Sequence, residues 1–280
     1  MIYLEDQSQS DSKQLLKVLN WNTLCQKFTD AFSQVKPEHI EWDYRFNLIK
    51  QQLELDDFDI IGLQEIDKNE EYTVFLKDLG YESSIIMKVD GKMGNLLAWK
   101  SDRITKVKEV EHMQIDQDNQ VLTIGYFKHN TSGKQFIVMN THLKASDGFQ
   151  DMRVSQSKFI ANKISQVQKD LSQFEFIVLT GDFNEDPENG AINVITEQMT
   201  SSLAQIYGAD KNHFTSYYFD RRDKVQVRRT IDYIFYTGTC IKPAAYLGLP
   251  KEEDLDYEVC FPCQNHPSDH LALAVYFSIQ

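Results

Sequence analysis

The chain has 280 residues, 41% of them hydrophobic and 12% aromatic, which is enough to bury a sizeable core in one large domain or two ordinary ones. Its formal net charge of −13 at pH 7 argues against strong binding to duplex DNA or an anionic membrane, because both favour surfaces rich in Lys and Arg. No apolar stretch approaches the roughly 20 residues of a membrane span, and the start MIYLEDQSQSDS does not resemble a signal peptide. We therefore expect a cytoplasmic protein, with the mitochondrion as the alternative.

Residues 1–13 are polar and acidic and are predicted to form a disordered tail before a single domain over residues 14–280. After a first strand, LKVLNW, the segment PEHIEWDYRFNLIKQQLEL has helical periodicity, and Pro37 suits its first turn. A second helical stripe ends at Gly80, and a third runs over 154–171 before the strand EFIVLTG. No Pro/Gly/Ser linker divides the chain, so one domain is favoured.

Polar side chains stand at the ends of apolar runs at six places along the chain. These positions are Asn22, Glu65, His142, Asp182 with Asn184, Asp232, and Asp269 with His270. The runs have the composition of buried strands, and strands whose ends lie in register would bring these side chains to one edge. Each position alone suits an ordinary strand end or turn, but six such coincidences together indicate an active site.

Glu65 follows the run DIIGLQ and is the best candidate for a metal ligand, because a carboxylate there is costly unless it is paired, solvated or metal-bound. Mg²⁺ usually binds one or two protein carboxylates and keeps several waters, and Asn22 and Asp269 could complete its site. The alternative is a strand-end acid bonded to backbone amides. We expect Mg²⁺ as the cofactor, with Mn²⁺ as its substitute.

The segment LTGDFNEDP places Asp182 and Asn184 two residues apart, so both point to one side while the chain is extended. Gly181 is expected to allow a tight exit from the strand. An Asp near a metal can orient and deprotonate water, and an Asn can donate its amide to a phosphate oxygen. The segment also suits an ordinary turn, since Gly, Asp, Asn and Pro all favour turns.

Two histidines could act on the same phosphate. One nitrogen of His270 would face the phosphate while a carboxylate holds the other, and Asp232 is the obvious candidate for that carboxylate. His142 would ordinarily be a strand-end histidine satisfied by the backbone. The pair Cys260-x-x-Cys263 could begin a zinc site, but no second half follows, which favours reduced thiols in a loop.

The order of these motifs resembles the endonuclease/exonuclease/phosphatase superfamily. The series is LNWNTL, IIGLQEID, GNLLAW, MNTHLKA, LTGDFNEDP, RTIDYIFY and PSDHLAL, which spans about 15–279. The motifs THLKA, Arg153-x-x-Gln156 and FTSYYF are most similar to the nocturnin and messenger-RNA deadenylase branch. The resemblance implies a four-layer α/β sandwich, in which two mixed sheets pack face to face with helices outside.

The resemblance also implies roles for individual residues. Glu65 would be the principal Mg²⁺ ligand beside Asn22 and Asp269, and Asp182 would activate water. The implied phosphate-binding and orienting groups are Asn184, His142, and Asp232 with His270; the implied substrate-binding residues are Lys88, Lys144 and Arg153. One departure is Ser146, where nocturnin-like enzymes have an Arg, and another is Tyr218, where they have a Trp.

These observations predict a metal-dependent phosphodiesterase or phosphatase. Its substrate would be the 3′ end of single-stranded poly(A) RNA or a small adenosine nucleotide such as NADP(H), with a base stacking near Tyr218. The charged segment FDRRDKVQVRR either forms a basic wall, through Arg221 and Arg229, or is a solvated hairpin. The alternative from another class is a non-catalytic binding or structural subunit, whose expected signature is loss of an essential polar group; none is missing.

Overall fold

The computed structural model describes residues 2–3, 15–115, 119–170, 173–208, 213–250 and 260–280. In chain order its strands are β1 (Ile2–Tyr3), β2 (Leu15–Asn22), β3 (Ile60–Ile66), β4 (Tyr81–Met87), β5 (Gly94–Lys100), β6 (Ile104–Gln114), β7 (Val121–His129), β8 (Gln135–His142), β9 (Phe176–Asp182), β10 (Thr200–Ser201), β11 (Ser216–Asp220), β12 (Val225–Arg229), β13 (Asp232–Thr237), β14 (Ile241–Tyr246) and β15 (Leu273–Ile279). The helices are α1 (Pro37–Ile40), α2 (Trp42–Leu53), α3 (Asn69–Asp78), α4 (Gln150–Asp170), α5 (Gly190–Thr196) and α6 (Ser202–Tyr207), with a 3-10 helix at Gln26–Ala31.

The strands form two large mixed sheets and one hairpin. The first sheet has the order β1-β14-β15-β2-β3-β5-β4, and the second has the order β10-β13-β9-β8-β7-β6. Strands β11 and β12 pair only with each other among the described strands. The first sheet joins strands from both ends of the chain, because β15 pairs with β2.

The side chains of β2 point alternately to the two faces of the first sheet and show how the layers pack. Leu16 and Val18 enter the core shared with the second sheet, whereas Leu19 and Trp21 pack with residues of α2 and α3 on the other face. On the far side of the second sheet, the apolar stripe of α4 joins the same core through side chains that include Ile160. Two sheets face to face with helices outside confirm the predicted four-layer α/β sandwich.

Most of the predicted elements are present, with local differences. The predicted helix from Pro37 is divided into α1 and α2, because Glu41 has an extended backbone with ψ of 137°. Ile2–Tyr3, which the sequence placed in a disordered tail, instead pair with β14, and residues 4–14 lie outside the described ranges. No helix among the described residues is long and apolar enough to cross a membrane.

Strand register brings three of the predicted polar positions into one row. Strands β8 and β9 run parallel with His142 opposite Asp182, and β13 runs antiparallel to β9 with Asp232 opposite Asp182. The close approach of the two sheets requires small residues. A Cβ on Gly62 would lie 2.5 Å from the Thr180 hydroxyl oxygen of the other sheet. Gly181 is likewise needed for space rather than for a strand exit, since a Cβ there would lie 2.6 Å from the Thr141 carbonyl oxygen.

Candidate active site

Both sheets supply side chains to one polar cluster. In the second sheet, His142 and Asp182 are buried, and His142 Nε2 lies 3.6 Å from Asp182 Oδ2. From the first sheet, Asn22 Nδ2 donates to Asp182 Oδ2 at 2.9 Å and lies 3.1 Å from Glu65 Oε1. Asn22 therefore links the two carboxylates and, through them, the two sheets.

The hydrogen bonds of Asn22 differ from its predicted role as a metal ligand. Its Oδ1 accepts from the Leu24 backbone N–H at 3.0 Å, so the side chain presents its NH₂ group to Glu65 and Asp182. An NH₂ group donates hydrogen bonds and does not bind cations. In this orientation Asn22 holds two carboxylates at a fixed separation, and its role as a metal ligand stays a prediction.

Glu65 reaches the cluster through an unusual backbone conformation. Strict alternation would place it with Ile61 and Leu63, which face the helices. Instead, Glu65 has φ of 62°, and the pairing of β3 with β5 shifts register between Leu63 and Ile66. This irregularity turns the carboxylate toward Asn22, while its Oε2 accepts from the Cys25 N–H at 3.0 Å.

His270 is oriented by a buried carboxylate, as predicted. Its Nδ1 lies 2.8 Å from Asp232 Oδ2, and its Nε2 lies 3.8 Å from Asp182 Oδ2 and 4.0 Å from Asp269 Oδ2. The main chain of His270 is also held in place, since its carbonyl accepts from the Trp21 indole N–H at 2.9 Å. The free Nε2 edge therefore faces the carboxylates.

Burial and neighbouring charges shift the pKa values in the cluster. Burial raises the pKa of Asp182 above its usual range and that of Asp269 to about 6. Burial and the nearby ammonium of Lys88 keep the pKa of His142 well below its usual range, so His142 is neutral. For His270, burial opposes protonation, but the surrounding carboxylates, led by Asp232, raise its pKa well above the usual range.

Two lysines predicted to bind substrate phosphates lie beside this cluster. Lys88 is buried with its Nζ 3.4 Å from His142 Nδ1, and burial lowers its pKa to about 8. Lys144 follows β8, and its Nζ lies 4.8 Å from the Phe149 ring centroid. Its charge also contributes to the shift at Lys88. Lys88 therefore contacts the cluster directly, and Lys144 lies close enough to Lys88 to affect its pKa.

Asn184 lies next to the cluster in a left-handed conformation, with φ of 51°. Its backbone N–H donates to Asp182 Oδ1 at 2.8 Å, and its Nδ2 donates to the Leu143 carbonyl at 3.2 Å. An amide NH₂ has two N–H groups, so one proton remains to serve a phosphate oxygen. The predicted position of Asn184 beside Asp182 is thus present in the structure.

Arg153 does not fit its predicted role in substrate binding. Its side chain is buried, its Nε donates to Glu185 Oε2, and its Nη1 donates to the carbonyls of Lys144 and Ser146. The guanidinium therefore bonds to protein groups. The position of Arg153 in the first turn of α4 gave no sign in the sequence of whether the side chain would point toward a substrate or into the protein.

The charged hairpin places only one of its predicted arginines against the cluster. Arg229 donates to Asp186 Oδ2 and to the Asn184 carbonyl, and it is also hydrogen-bonded to the Tyr218 side chain. Arg221 lies exposed in the turn between β11 and β12. Arg229 and Tyr218 therefore border the site beside Asn184, whereas Arg221 lies at the far end of the hairpin.

The cluster suits a divalent cation. Asp232 Oδ1, Asp269 Oδ1 and His142 Nε2 are buried without a hydrogen-bond partner among the described residues. Glu65 and Asp269 add carboxylate oxygens, the ligand type preferred by hard cations. Ligand atoms of Asp182, Asp232 and His270 also lie within 4.8 Å of one another. The His270–Asp232 hydrogen bond gives those two residues an orienting role.

The pair of cysteines forms no such cluster in the described part of the chain. Cys260 and Cys263 are buried, are not in a disulfide, and the second packs with Phe214, Tyr217 and Phe261. The groups of His, Cys, Asp and Glu that could hold a metal include neither cysteine, within the ranges given above. Cys263 thus lies in an apolar environment.

Sequence reasoning missed Arg45, which supports the cluster from below. It is fully buried in α2 and donates to the carbonyls of Thr23, Leu24 and Pro267 at 2.5–2.7 Å. These carbonyls belong to the segments that carry Asn22 and Asp269. The sequence did indicate that Arg45 could be buried, since it lies four residues before the buried Ile49 and hence on the same helix face.

A second missed feature is a buried amide network between the sheets. Gln64 Nε2 donates to Asn20 Oδ1 at 2.8 Å and to Asn140 Oδ1 at 2.7 Å. Asn140 Nδ2 in turn donates to the carbonyls of Leu63 and Leu96, at 3.1 and 2.9 Å. The amides lie directly below the strand-end carboxylates, so they fix the relative position of the two sheets at the site.

The sequence of the chain matches a family of known proteins. Residues 19–270 match the Endonuclease/Exonuclease/phosphatase family. The chain belongs to this family. Its members are nucleases and phosphatases, which hydrolyse phosphoesters and generally depend on a divalent metal. The conclusion agrees with the cluster of carboxylates and cations and confirms the family predicted from the motifs.

Individual relatives are similar over most of the chain. Nocturnin of Xenopus laevis is 26% identical over 297 residues, covering 98% of this chain and 75% of that protein. The Ccr4 3′-5′-exoribonuclease subunit of the CCR4-Not complex of Debaryomyces hansenii is 23% identical over 338 residues, covering 99% of this chain but 41% of that protein. The chain thus spans less than half the length of this second relative.

A solved structure confirms the fold. The human Nocturnin catalytic domain with a bound sulfate anion has a TM-score of 0.78 and 23% sequence identity, with 95% of each chain covered. At 23% sequence identity, this likeness shows that the two chains share a fold.

Proposed function

We propose that the protein is a Mg²⁺-dependent phosphoester hydrolase, with Mn²⁺ as a substitute metal. The observation that carries the proposal is the convergence of carboxylates, imidazoles and an ammonium from both sheets. Glu65 comes from the first sheet, Asp182 and His142 come from the second, and His270 and Lys88 complete the cluster. Family membership and the names of the relatives support the same conclusion.

Glu65 and Asp269 would hold the metal, which when bound acts as a Lewis acid on a phosphate oxygen. Asp182 orients the attacking water and accepts its proton, and the pKa raised by burial brings this carboxyl closer to neutral pH. His270, held as an imidazolium by Asp232, stabilises the charge that develops on the phosphate. Removing one such group typically costs on the order of 10²–10³ in rate.

For the substrate we propose the 3′ end of single-stranded, poly(A)-type RNA or a small adenosine nucleotide such as NADP(H). Lys88, Lys144 and Asn184 supply phosphate contacts, and Tyr218 offers a ring at the border of the site. The net charge of −13 favours a short or small ligand over a long polyanion. One of the relatives supports an RNA substrate, since it is named as a 3′-5′-exoribonuclease subunit.

The alternative is a non-catalytic domain that serves a larger assembly. Such a domain would tolerate the loss of an essential polar residue. Here every predicted site position has the expected residue type, and most of these side chains lie close together. Purified protein should be tested on oligo(A), mixed-sequence RNA, single-stranded DNA and NADP(H), each with Mg²⁺ and with chelator. We expect Mg²⁺-dependent release of mononucleotide or phosphate. The absence of release from all four substrates would contradict the proposed function.

A further inference from the structure

Arg153 is buried where two loops of the site meet. The first loop follows β8 and carries Lys144, and the second follows β9 and carries Asn184. Arg153 Nη1 donates to the Lys144 and Ser146 carbonyls at 3.0 and 2.9 Å, and its Nε donates to Glu185 Oε2 at 2.5 Å. One guanidinium thus binds both loops.

The loop after β8 has a backbone conformation that needs support. Ser146 has φ of 80°, a left-handed conformation that is unfavourable for a residue with a Cβ. A donor bonded to the carbonyls of Lys144 and Ser146 holds this turn closed. The Lys144 N–H is held from the same helix, because it donates to Gln156 Oε1 at 3.0 Å.

The loop after β9 is held through Glu185. The Oε1 of Glu185 accepts from Asn189 Nδ2 at 2.9 Å, and its carbonyl accepts from the Tyr233 hydroxyl at 2.9 Å. Glu185 therefore has a fixed position, and it directly follows Asn184, whose backbone is also left-handed. The ion pair between Glu185 and Arg153 therefore fixes the guanidinium, which in turn holds the loop that carries Lys144.

We propose that Arg153 is a positioning residue that sets the separation of Lys144 from Asn184, and so determines how tightly the site grips a phosphate group. The inference rests on the proposed function, which gives Lys144 and Asn184 their contacts with phosphate. The side chain of Arg153 is buried, and its Nε and Nη1 donors bind Glu185 and the two carbonyls. Its effect on phosphate passes through Lys144.

The informative substitution is Arg153→Lys. A lysine keeps a cation opposite Glu185, but its single ammonium lacks the planar fork that reaches two carbonyls and a carboxylate together. The matched control is Lys158→Met, which removes a cation from an exposed position of the same helix. If Arg153→Lys does not fold, the pair Arg153→Met with Glu185→Met removes both buried charges and carries the same tests.

The first measurement needs no substrate. Trypsin cleaves after Lys144, at the peptide bond whose carbonyl Arg153 holds, so loss of the fork should expose this bond. We expect Arg153→Lys to be cleaved there on the order of tenfold faster than the wild type, with Lys158→Met unchanged. An unchanged cleavage rate in Arg153→Lys would overturn the proposal.

The second measurement separates positioning from general destabilisation. Arg153→Lys should raise KM on the order of tenfold with a smaller change in kcat, as should Lys144→Met. The double variant Arg153→Lys with Lys144→Met should have a KM no higher than that of Lys144→Met alone, because both changes disable the same contact between Lys144 and phosphate. Additive losses, or a loss confined to kcat, would contradict the role. A wild type without hydrolase activity would refute the proposed function, whereas the cleavage test would still decide whether Arg153 holds the loop that carries Lys144.

Discussion

His270 Nδ1 lies 2.8 Å from Asp232 Oδ2, with both side chains buried, so the carboxylate fixes the ring with Nε2 toward Asp182. The two residues are separated by 38 positions in the chain. They meet because Asp232 is the first residue of β13 and His270 lies just before β15, so both strands begin at the same edge. We therefore expect the pair to act as one unit.

Asp232→Asn and His270→Ala should each lower kcat on the order of 10²–10³, and the double variant should lose little more. Asp78→Asn, an exposed change of the same kind, is the control. Steady-state kinetics of the four proteins of this double-mutant cycle measure the coupling. Fully additive losses would show that the two residues act independently.

The same pair predicts a shift in the pH dependence of activity. The Asp232 carboxylate is the leading cause that raises the pKa of His270 above its usual range, although burial opposes it. Asp232→Asn removes that charge, so the pKa of His270 falls and the imidazolium is lost at a lower pH. The alkaline limb of the pH–rate profile should move to lower pH, and an unmoved limb would contradict an imidazolium role.

Glu65→Ala should abolish turnover while the fold survives, because Glu65 is partly exposed and lies at a strand end. Glu70→Gln, at an exposed position of α3, is the control. Mg²⁺ should raise the melting temperature of the wild type and of the control but not of Glu65→Ala. Wild-type activity of Glu65→Ala at saturating Mg²⁺ would refute the assignment.

Arg229→Ala should raise KM more than it lowers kcat, because Arg229 contacts the Asn184 carbonyl and Tyr218 at the border of the site. Arg221→Ala, predicted from the sequence to act in the same way, should have the smaller effect because Arg221 lies in the exposed turn of the hairpin. Equal effects of the two variants on KM would show that the hairpin tip reaches the substrate.

Ser146→Arg should shift preference toward a terminal phosphomonoester, because it restores a guanidinium fork near Lys144. In the wild type we expect weak discrimination between oligo(A) and small adenosine phosphates, since stacking near Tyr218 tolerates any base. Comparison of kcat/KM across the substrates tests both points. A ratio between bases above roughly 10⁴ would indicate a dedicated base pocket instead.

Asn140→Ala should lower the free energy of unfolding by about 2–4 kcal/mol, because it leaves Gln64 Nε2 and two backbone carbonyls short of buried partners. Asn130→Ala, an exposed change, should stay within about 0.5 kcal/mol of the wild type. Urea unfolding curves compare the two variants. Equal stabilities would show that the amide network contributes little.

The sequence by itself determined where the site lies along the chain. Apolar runs become strands because they bury both faces, and a polar residue such as His142 or Asp182 at the end of a run must then lie at a sheet edge. The order of the motifs also indicated the family and the sandwich. Helix boundaries near Pro37 and Gly80 followed from local backbone preferences, which need no tertiary contact.

Tertiary structure alone decided how individual side chains are used. Glu65 turns toward Asn22 through a left-handed backbone, which strand periodicity does not predict. Arg45 and Arg153 lie on helices where an arginine usually faces water, yet both are buried, because loop carbonyls and, for Arg153, the Glu185 carboxylate accept their hydrogen bonds. The partners of a buried cation come from elsewhere in the chain, so only the packing of sheets and loops shows whether an arginine supports the site or touches the substrate.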